Sequence, residues 1–189
     1  MSATNAKEAI LIEARRIAQA HGYNGMNFRE LADRVGIKPA SIYHHFASKA
    51  ELGAAVAKRY WEDAAINLDA IRDEEADPTS ALRRYPEVFR RSLESENRLC
   101  LGSFMSAEHD DLPKAVMKEV QAFTDVNVAW LGRMLLSADM VRSDHEAEVR
   151  ARAIFASIAG AQLMARSSSD IALFDTLVDA YRSAGLLPL

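Results

Sequence analysis

The sequence predicts an all-α protein with about nine helices. Glycine and proline together number 13 of the 189 residues, and no segment alternates apolar and polar residues as a half-buried strand does. Apolar residues recur instead at intervals of three and four, which is the spacing of one helix face. Hydrophobic residues make up 49% of the chain, enough for a substantial core. We expect a small N-terminal helical domain, residues 1–47, and a larger helical domain, residues 48–189.

The first three predicted helices are short and closely spaced. The first covers about residues 5–20 and ends at Gly22. The second begins at Phe28, where Asn27 is suited to cap it and Glu30 to complete a capping box. Gly36 follows its last apolar residue, and Pro39 suits the first turn of a third helix, residues 39–45. This arrangement of two helices joined around a glycine is the helix-turn-helix pattern.

The third helix has a surface that a protein core would not use. Small side chains at its start, Ala40 and Ser41, permit a close approach to base edges. Tyr43, His44 and Lys49 supply donors at the reach of phosphates. An ordinary helical hairpin with solvated polar residues is the alternative interpretation.

The remaining helices are predicted from caps and apolar stripes. Ser48 with Glu51, and Ser143 with Glu146, form capping boxes that begin helices over residues 48–75 and 143–166. A helix over residues 78–94 contains Pro86, which should kink it or shift its start. Further helices are expected over residues 102–109, 113–136 and 170–184. The last two long helices carry more apolar surface than a terminal hairpin needs.

Charge is distributed unevenly along the chain. The net charge is −4, but residues 1–60 carry +4 and residues 61–189 carry −8. A mildly basic head on an acidic body supports local DNA binding. The single cysteine excludes an intramolecular disulfide, and no apolar run approaches the ~18 residues of a membrane span. We expect a cytoplasmic protein with no membrane partner.

The first quarter of the chain resembles the DNA-binding domain of the TetR family of transcriptional repressors. The resemblance is carried by four segments: Phe28-Arg29-Glu30-Leu31-Ala32, Val35-Gly36-Ile37, Ser41-Ile42-Tyr43-His44-His45-Phe46 and Lys49-Ala50-Glu51-Leu52. Lys38 departs from the family, which often has Ser or Thr there to cap the recognition helix. Lys38 cannot accept the orphan N–H bonds, so we expect a slightly less stable helix and one additional possible phosphate contact.

The resemblance implies a dimeric repressor that binds a palindromic double-stranded DNA operator and is released by a small-molecule effector. The implied domains are a DNA-binding domain, residues 1–47, and a ligand-binding and dimerisation domain, residues 48–189. Phosphate contacts fall on Asn27, Tyr43, His44 and Lys49; base contacts fall on Lys38, Ala40 and Ser41. Arg29 adds either kind of contact, and Pro39 and His45 complete the interface. Activation instead of repression, and two dimers on one operator, remain open.

Two further residue sets are expected in the second domain. The effector cavity is predicted to be lined by aromatic residues, a cation and the cysteine: Trp61, Tyr85, Phe89, Arg98, Cys100, Phe104, Phe123, Trp130 and Phe155. The dimer interface is predicted on the stripes of the last two helices: Ile154, Ser157, Ile158, Ala161, Ala165, Phe174, Leu177, Val178 and Tyr181. The alternative is that both stripes face the chain's own core.

Two other functions are compatible with particular residues. Cys100 lies near a predicted helix start, where a thiol can become reactive, so a redox- or electrophile-sensing regulator is one alternative. An all-helical enzyme is the other, but adjacent His44 and His45 point about 100° apart and do not form a joint metal site. His109 has no second histidine at useful spacing, and no phosphate loop or dinucleotide motif occurs. We therefore expect no catalytic residues, no metal and no cofactor.

Overall fold

The computed structural model describes residues 3–189, with side chains from residue 5 onward, and every regular element in that range is helical. Ten α-helices and one short 3-10 helix follow in order: α1 (Ala3–His21), α2 (Phe28–Val35), α3 (Pro39–His45), α4 (Lys49–Glu74), α5 (Pro78–Arg84), α6 (Glu87–Glu94), α7 (Leu101–Ala107), the 3-10 helix (His109–Asp111), α8 (Lys114–Ser137), α9 (Asp144–Ser168) and α10 (Ile171–Ser183). The prediction of an all-α protein is confirmed. The first two residues of the predicted domain 1–47 lie outside the described residues.

The helix predicted over residues 78–94 is divided in two at Pro86. Proline has no N–H to donate to the carbonyl four residues earlier, so the helix cannot continue through it unbroken. α5 therefore ends at Arg84, and α6 restarts at Glu87 with Pro86 accepting from the N–H of Phe89 and Arg90. This division accounts for ten helices in the described chain where the sequence suggested about nine.

The chain divides into two compact units. The first comprises the described residues up to Glu62 together with Leu101–Phe123, and the second comprises Asp63–Cys100 with Thr124–Leu189. The first unit therefore includes the first half of α4, α7, the 3-10 helix and the start of α8 in addition to α1–α3. The functional division predicted at residue 47 stays a prediction.

The core of the first unit is built from the apolar faces of its short helices. α1 contributes Ile10 and Ile17, α2 contributes Leu31, and α3 contributes Ile42 with Phe46 just after it; all are at most 2% exposed. α1 packs against both α2 and α7. This packing leaves the opposite face of α3 on the surface.

In the second unit, α9 packs along α10, and α6 packs against both. The guanidinium of Arg150 on α9 joins three chain segments, since it donates to the carbonyls of Gly185 (2.6 Å), Leu186 (3.2 Å) and Met140 (3.2 Å). The ends of α8 and α10 are thereby held against α9.

Candidate nucleic-acid interface

The start and end of α2 are set by local side-chain chemistry. Asn27 Oδ1 accepts from the backbone N–H of Arg29 (2.8 Å) and of Glu30 (3.3 Å), which confirms the predicted cap. The second half of the predicted capping box is wrong, because the Glu30 carboxylate accepts from Arg34 instead (3.0 Å). Gly36 ends the helix with a φ of 73°, as the sequence predicted.

α3 begins with Pro39 and has one buried and one exposed side. Lys38 precedes it in extended conformation and makes no side-chain cap bond, as expected. Ile42 is fully buried, while Tyr43 is 59% exposed. Among the other predicted contact residues, Lys38, Pro39, Ala40 and His44 are exposed, and Ser41 and His45 are half-buried. The polar side of α3 is therefore free of the unit's own core.

A surface cleft of about 600 Å³ brings residues of α2, α3 and α4 together. It is lined by Asn24, Met26, Asn27, Phe28, Arg29, Pro39, Tyr43, Ser48 and Lys49. Five of the ten predicted contact residues thus share one concave surface. The Tyr43 ring packs on Phe28 with centroids 4.9 Å apart. This contact orients the Tyr43 hydroxyl and does not use it in a hydrogen bond.

Lys49 is less free than the sequence suggested. Its Nζ donates to the backbone carbonyl of Asn24 at 3.0 Å and lies 4.7 Å from the centroid of the Tyr23 ring. The ammonium is held at the edge of the cleft by the loop between α1 and α2. A phosphate would meet a positioned cation there.

A carboxylate from a distant part of the sequence holds the same loop. Glu108, at the end of α7, accepts from the backbone N–H of Tyr23 (2.6 Å) and of Asn24 (3.2 Å). Asn24 Nδ2 donates to Asp111 at 3.1 Å. Gly22 admits this approach, since a Cβ there would lie 2.4 Å from the Glu108 carboxylate oxygens. Sequence reasoning missed Glu108 and Asp111, because no local pattern marks a partner about 85 residues away.

Comparison with known proteins agrees with this geometry. Residues 10–56 match the family model described as bacterial regulatory proteins, tetR family. Over the full chain, the fold is similar to a TetR-family transcriptional regulator from Agrobacterium tumefaciens, with a TM-score of 0.89, 25% identity and coverage of 97% of this chain and 98% of that one. The region of residues 10–56 belongs to the tetR family of bacterial regulatory proteins, and the chain as a whole has the fold of a TetR-family regulator.

Other relatives extend the comparison. A TetR regulator from Legionella pneumophila has a TM-score of 0.88 at 26% identity and covers 94% of this chain and 96% of its own. The HTH-type transcriptional repressor AcnR of Corynebacterium glutamicum is 42% identical over 70 residues, or 37% of this chain and 36% of that protein. The HTH-type transcriptional activator FasR of Mycolicibacterium smegmatis is 29% identical over 89 residues, 47% of this chain and 41% of that protein. The chain thus spans well under half the length of these curated relatives.

The predicted effector residues are divided between the two units. Trp61, Phe104 and Phe123 belong to the first unit, and Tyr85, Phe89, Arg98, Cys100, Trp130 and Phe155 belong to the second. In the first unit, Trp61 Nε1 donates to Glu119 at 2.8 Å. In the second, four rings form a contiguous ladder, with Trp130 stacked on Tyr85, Tyr85 against Phe89, and Phe89 edge-on to Phe155. Burial raises the pKa of Tyr85 well above its ordinary value, so its hydroxyl stays protonated.

Neutral hydrogen bonds hold the polar groups near this ladder. Tyr85 OH donates to Asn127 Oδ1 at 3.0 Å, and Asn127 is fully buried. Gln162 accepts from the backbone N–H of Cys100 (3.0 Å) and donates to the carbonyl of Phe89 (2.6 Å). Cys100 is 2% exposed, and Arg98 is paired with Glu96.

The predicted dimer residues need a correction. Six of the nine are at most 4% exposed within the single chain: Ile154, Ile158, Ala161, Ala165, Phe174 and Val178. They face the chain's own core, which was the alternative left open by the sequence. Ser157, Leu177 and Tyr181 keep partial exposure. The physical reason is that an apolar stripe has the same spacing whichever partner buries it.

Two kinds of feature, a metal site and a membrane-spanning helix, are absent from the described residues. Among residues 3–189 no group of three or more His, Cys, Asp or Glu side chains is placed to hold a metal ion. None of the described helices is long and apolar enough to cross a membrane.

Proposed function

We propose that this chain is a dimeric transcriptional repressor that binds a palindromic operator and is released by a small molecule. The observation that carries the proposal is the exposed polar side of α3, with Ile42 buried beneath it and Tyr43 59% exposed. A recognition helix anchored by its apolar side and presenting small and polar residues outward fits a major groove. The names of the similar proteins, repressors and regulators among them, support this function over an enzyme.

The proposed contacts with DNA are of two kinds. Asn27, Tyr43, His44 and Lys49 contact phosphates, while Lys38, Ala40 and Ser41 at the start of α3 face base edges. Arg29, exposed on the cleft wall, adds a phosphate or base contact. Phosphate contacts supply affinity that falls with salt, and base contacts supply sequence preference.

The first test is selection of bound fragments from the source genome with the purified protein at two salt concentrations. An enriched palindrome supports a dimeric, sequence-reading regulator, and a folded protein that enriches nothing contradicts it. Tyr43→Phe then deletes one hydroxyl while keeping the ring against Phe28. Binding should weaken alike for all sequences.

The dimer surface is proposed on the outer row of α9. Its members repeat at intervals of four and three and are small or apolar: Val149, Ala153, Ala156, Gly160 and Leu163. Val149 is 54% exposed and Leu163 is 57% exposed. A Cβ at Gly160 would meet nothing within 4 Å, so the chain itself does not require glycine there. Glycine in a helix interior costs about 0.5–1 kcal/mol relative to alanine, and close approach of a second helix offsets that cost.

Sedimentation equilibrium tests this surface. Gly160→Leu should weaken or abolish the dimer, while Ala129→Leu, at an exposed small residue of α8, should not. A monomeric wild-type protein, or a Gly160→Leu variant that dimerises as the wild type does, would contradict the assignment.

Release of DNA is proposed to follow from effector binding. α4 starts at Lys49, one of the proposed phosphate contacts, and continues unbroken for 26 residues. A ligand that binds the DNA-free state more tightly shifts the population toward it, and α4 is the element proposed to change the spacing of the two recognition helices. Effector affinity that is identical for free and DNA-bound protein would refute this coupling.

The alternative of a sensor thiol rests on Cys100. Its 2% exposure is typical of a packed cysteine, and a reactive thiol needs access to its oxidant. The Cys100→Ser variant distinguishes the two functions. If oxidant releases DNA from the wild type and not from the variant, the thiol is the switch; if both behave alike, the effector function stands.

A further inference from the structure

In the buried aromatic ladder of the second unit, the indole N–H of Trp130 is the one polar ring group that makes no hydrogen bond among the described residues. Trp130 is 1% exposed, and its Nε1–H has no hydrogen-bond acceptor among the residues that the structure describes. Buried Trp N–H groups normally find a partner, and a buried donor without one costs free energy. The other tryptophan, Trp61, follows that rule through its bond to Glu119.

The surroundings of Trp130 indicate what kind of acceptor would suit it. Its ring is stacked on Tyr85 with centroids 5.8 Å apart and planes 19° apart. The Tyr85 hydroxyl is already engaged with Asn127, and both polar ends of Gln162 are bonded to backbone. The ladder therefore offers aromatic faces together with a donor whose hydrogen-bonding capacity is unused.

The charge of the surrounding side chains narrows the class of ligand further. The buried polar side chains of the described chain include Asn127 and Gln162, and neither is charged. The half-buried Arg166 on α9, whose Nη1 is buried, is a cation of the same unit but is not a member of the ladder. Arg98, the predicted partner for an acidic effector, is paired with Glu96. Burying a carboxylate without a cation is strongly unfavourable, so an uncharged molecule is favoured.

We propose that Trp130 Nε1–H donates the orienting hydrogen bond to an uncharged, planar aromatic effector that carries an acceptor such as a ring nitrogen or carbonyl oxygen. Tyr85 and Phe89, the fully buried rings that follow Trp130 in the ladder, are the aromatic groups nearest to such a molecule. Phe155, the partly exposed member of the ladder, lies at the end nearest solvent. The assignment rests on the proposed effector function and specifies its ligand chemistry.

The test compares quinoline with naphthalene, which has the same shape and no acceptor, by calorimetric titration. Wild-type protein should bind quinoline at least tenfold more tightly, a difference of about 1.4 kcal/mol. Trp130→Phe keeps an aromatic ring and removes the donor, so the preference should vanish. The affinity for naphthalene is the internal control and should be the same in the wild type and in Trp130→Phe, since naphthalene has no acceptor. The anion 1-naphthoate should bind more weakly than quinoline.

A second measurement does not require the Trp130→Phe protein to fold. In the nitrogen–proton spectrum of Trp61→Phe, the one remaining indole N–H signal is that of Trp130. Quinoline should shift this signal downfield, and naphthalene should not. Equal affinity for quinoline and naphthalene in the wild type, no binding of either, or a preference that survives Trp130→Phe would overturn the proposal.

DNA release is measured separately on the selected operator fragment. If the protein binds quinoline more tightly than naphthalene but quinoline does not release DNA, the Trp130 site is supported and the effector part of the proposed function is refuted. Failure to bind any DNA would refute the proposed function while the titration still decides the site.

Discussion

Removing the Glu108 carboxylate should loosen the loop that holds Lys49. Glu108→Ala deletes the acceptor for the N–H groups of Tyr23 and Asn24. Hydrogen bonds to a charged group contribute about 1.5–3 kcal/mol each, but Glu108 is only half-buried and the Asn24 contact is exposed. We therefore expect the free energy of unfolding to fall by about 1–3 kcal/mol, measured by urea denaturation followed by circular dichroism.

The same change should weaken DNA binding. The loop supplies both partners of Lys49, the Asn24 carbonyl and the Tyr23 ring, so a loosened loop leaves the ammonium less well placed. A loss of about 1 kcal/mol corresponds to roughly fivefold weaker binding. Fluorescence anisotropy with the selected operator fragment, at a temperature where the variant is folded, measures it.

Asp110→Ala is the matched control. It removes the same charge two residues along, from an exposed side chain with no hydrogen-bond or ion-pair partner among the described residues. If Glu108→Ala is as stable as Asp110→Ala and binds DNA equally well, the loop does not depend on this carboxylate and the reasoning fails.

Three further predictions concern stability. Gln162→Leu should destabilise the fold by about 2–4 kcal/mol in urea unfolding, since it leaves the buried N–H of Cys100 without its acceptor; a loss below 1 kcal/mol would contradict the bond. Arg150→Ala should increase amide exchange at the C-terminal residues after α10, because their carbonyls lose a shared donor, and unchanged exchange would refute that role. Hydrogen bonds from Ser80 hold the pKa of Asp77 below its ordinary value, so this stabilisation is present at neutral pH and lost as pH falls through the lowered pKa; the stability gap between wild type and Asp77→Asn should therefore close in acid.

Local signals in the sequence predicted the helix boundaries of the DNA-binding region well. The cap at Asn27, the left-handed Gly36 and the start at Pro39 each depend on atoms within a few residues, so they can be predicted from spacing alone. The boxes at Ser48 and Ser143 also form, although the glutamate reaches the N–H one residue before the cap in both. The position of Pro86 predicts a kink or a shifted helix start, and the structure shows that the helix is divided there.

The sequence by itself determined the all-α fold, the caps and the exposed chemistry of α3, because these depend on periodicity and on short-range hydrogen bonds. Only the tertiary structure decided which partner buries each apolar stripe, and it assigned Ile154 and Phe174 to the chain's own core. It also placed Glu108 on the loop at Tyr23 and left Trp130 Nε1 without an acceptor in the described chain. Such contacts join residues that are tens of positions apart in the chain. Neither the type of a side chain nor its spacing indicates which distant residue will pack against it.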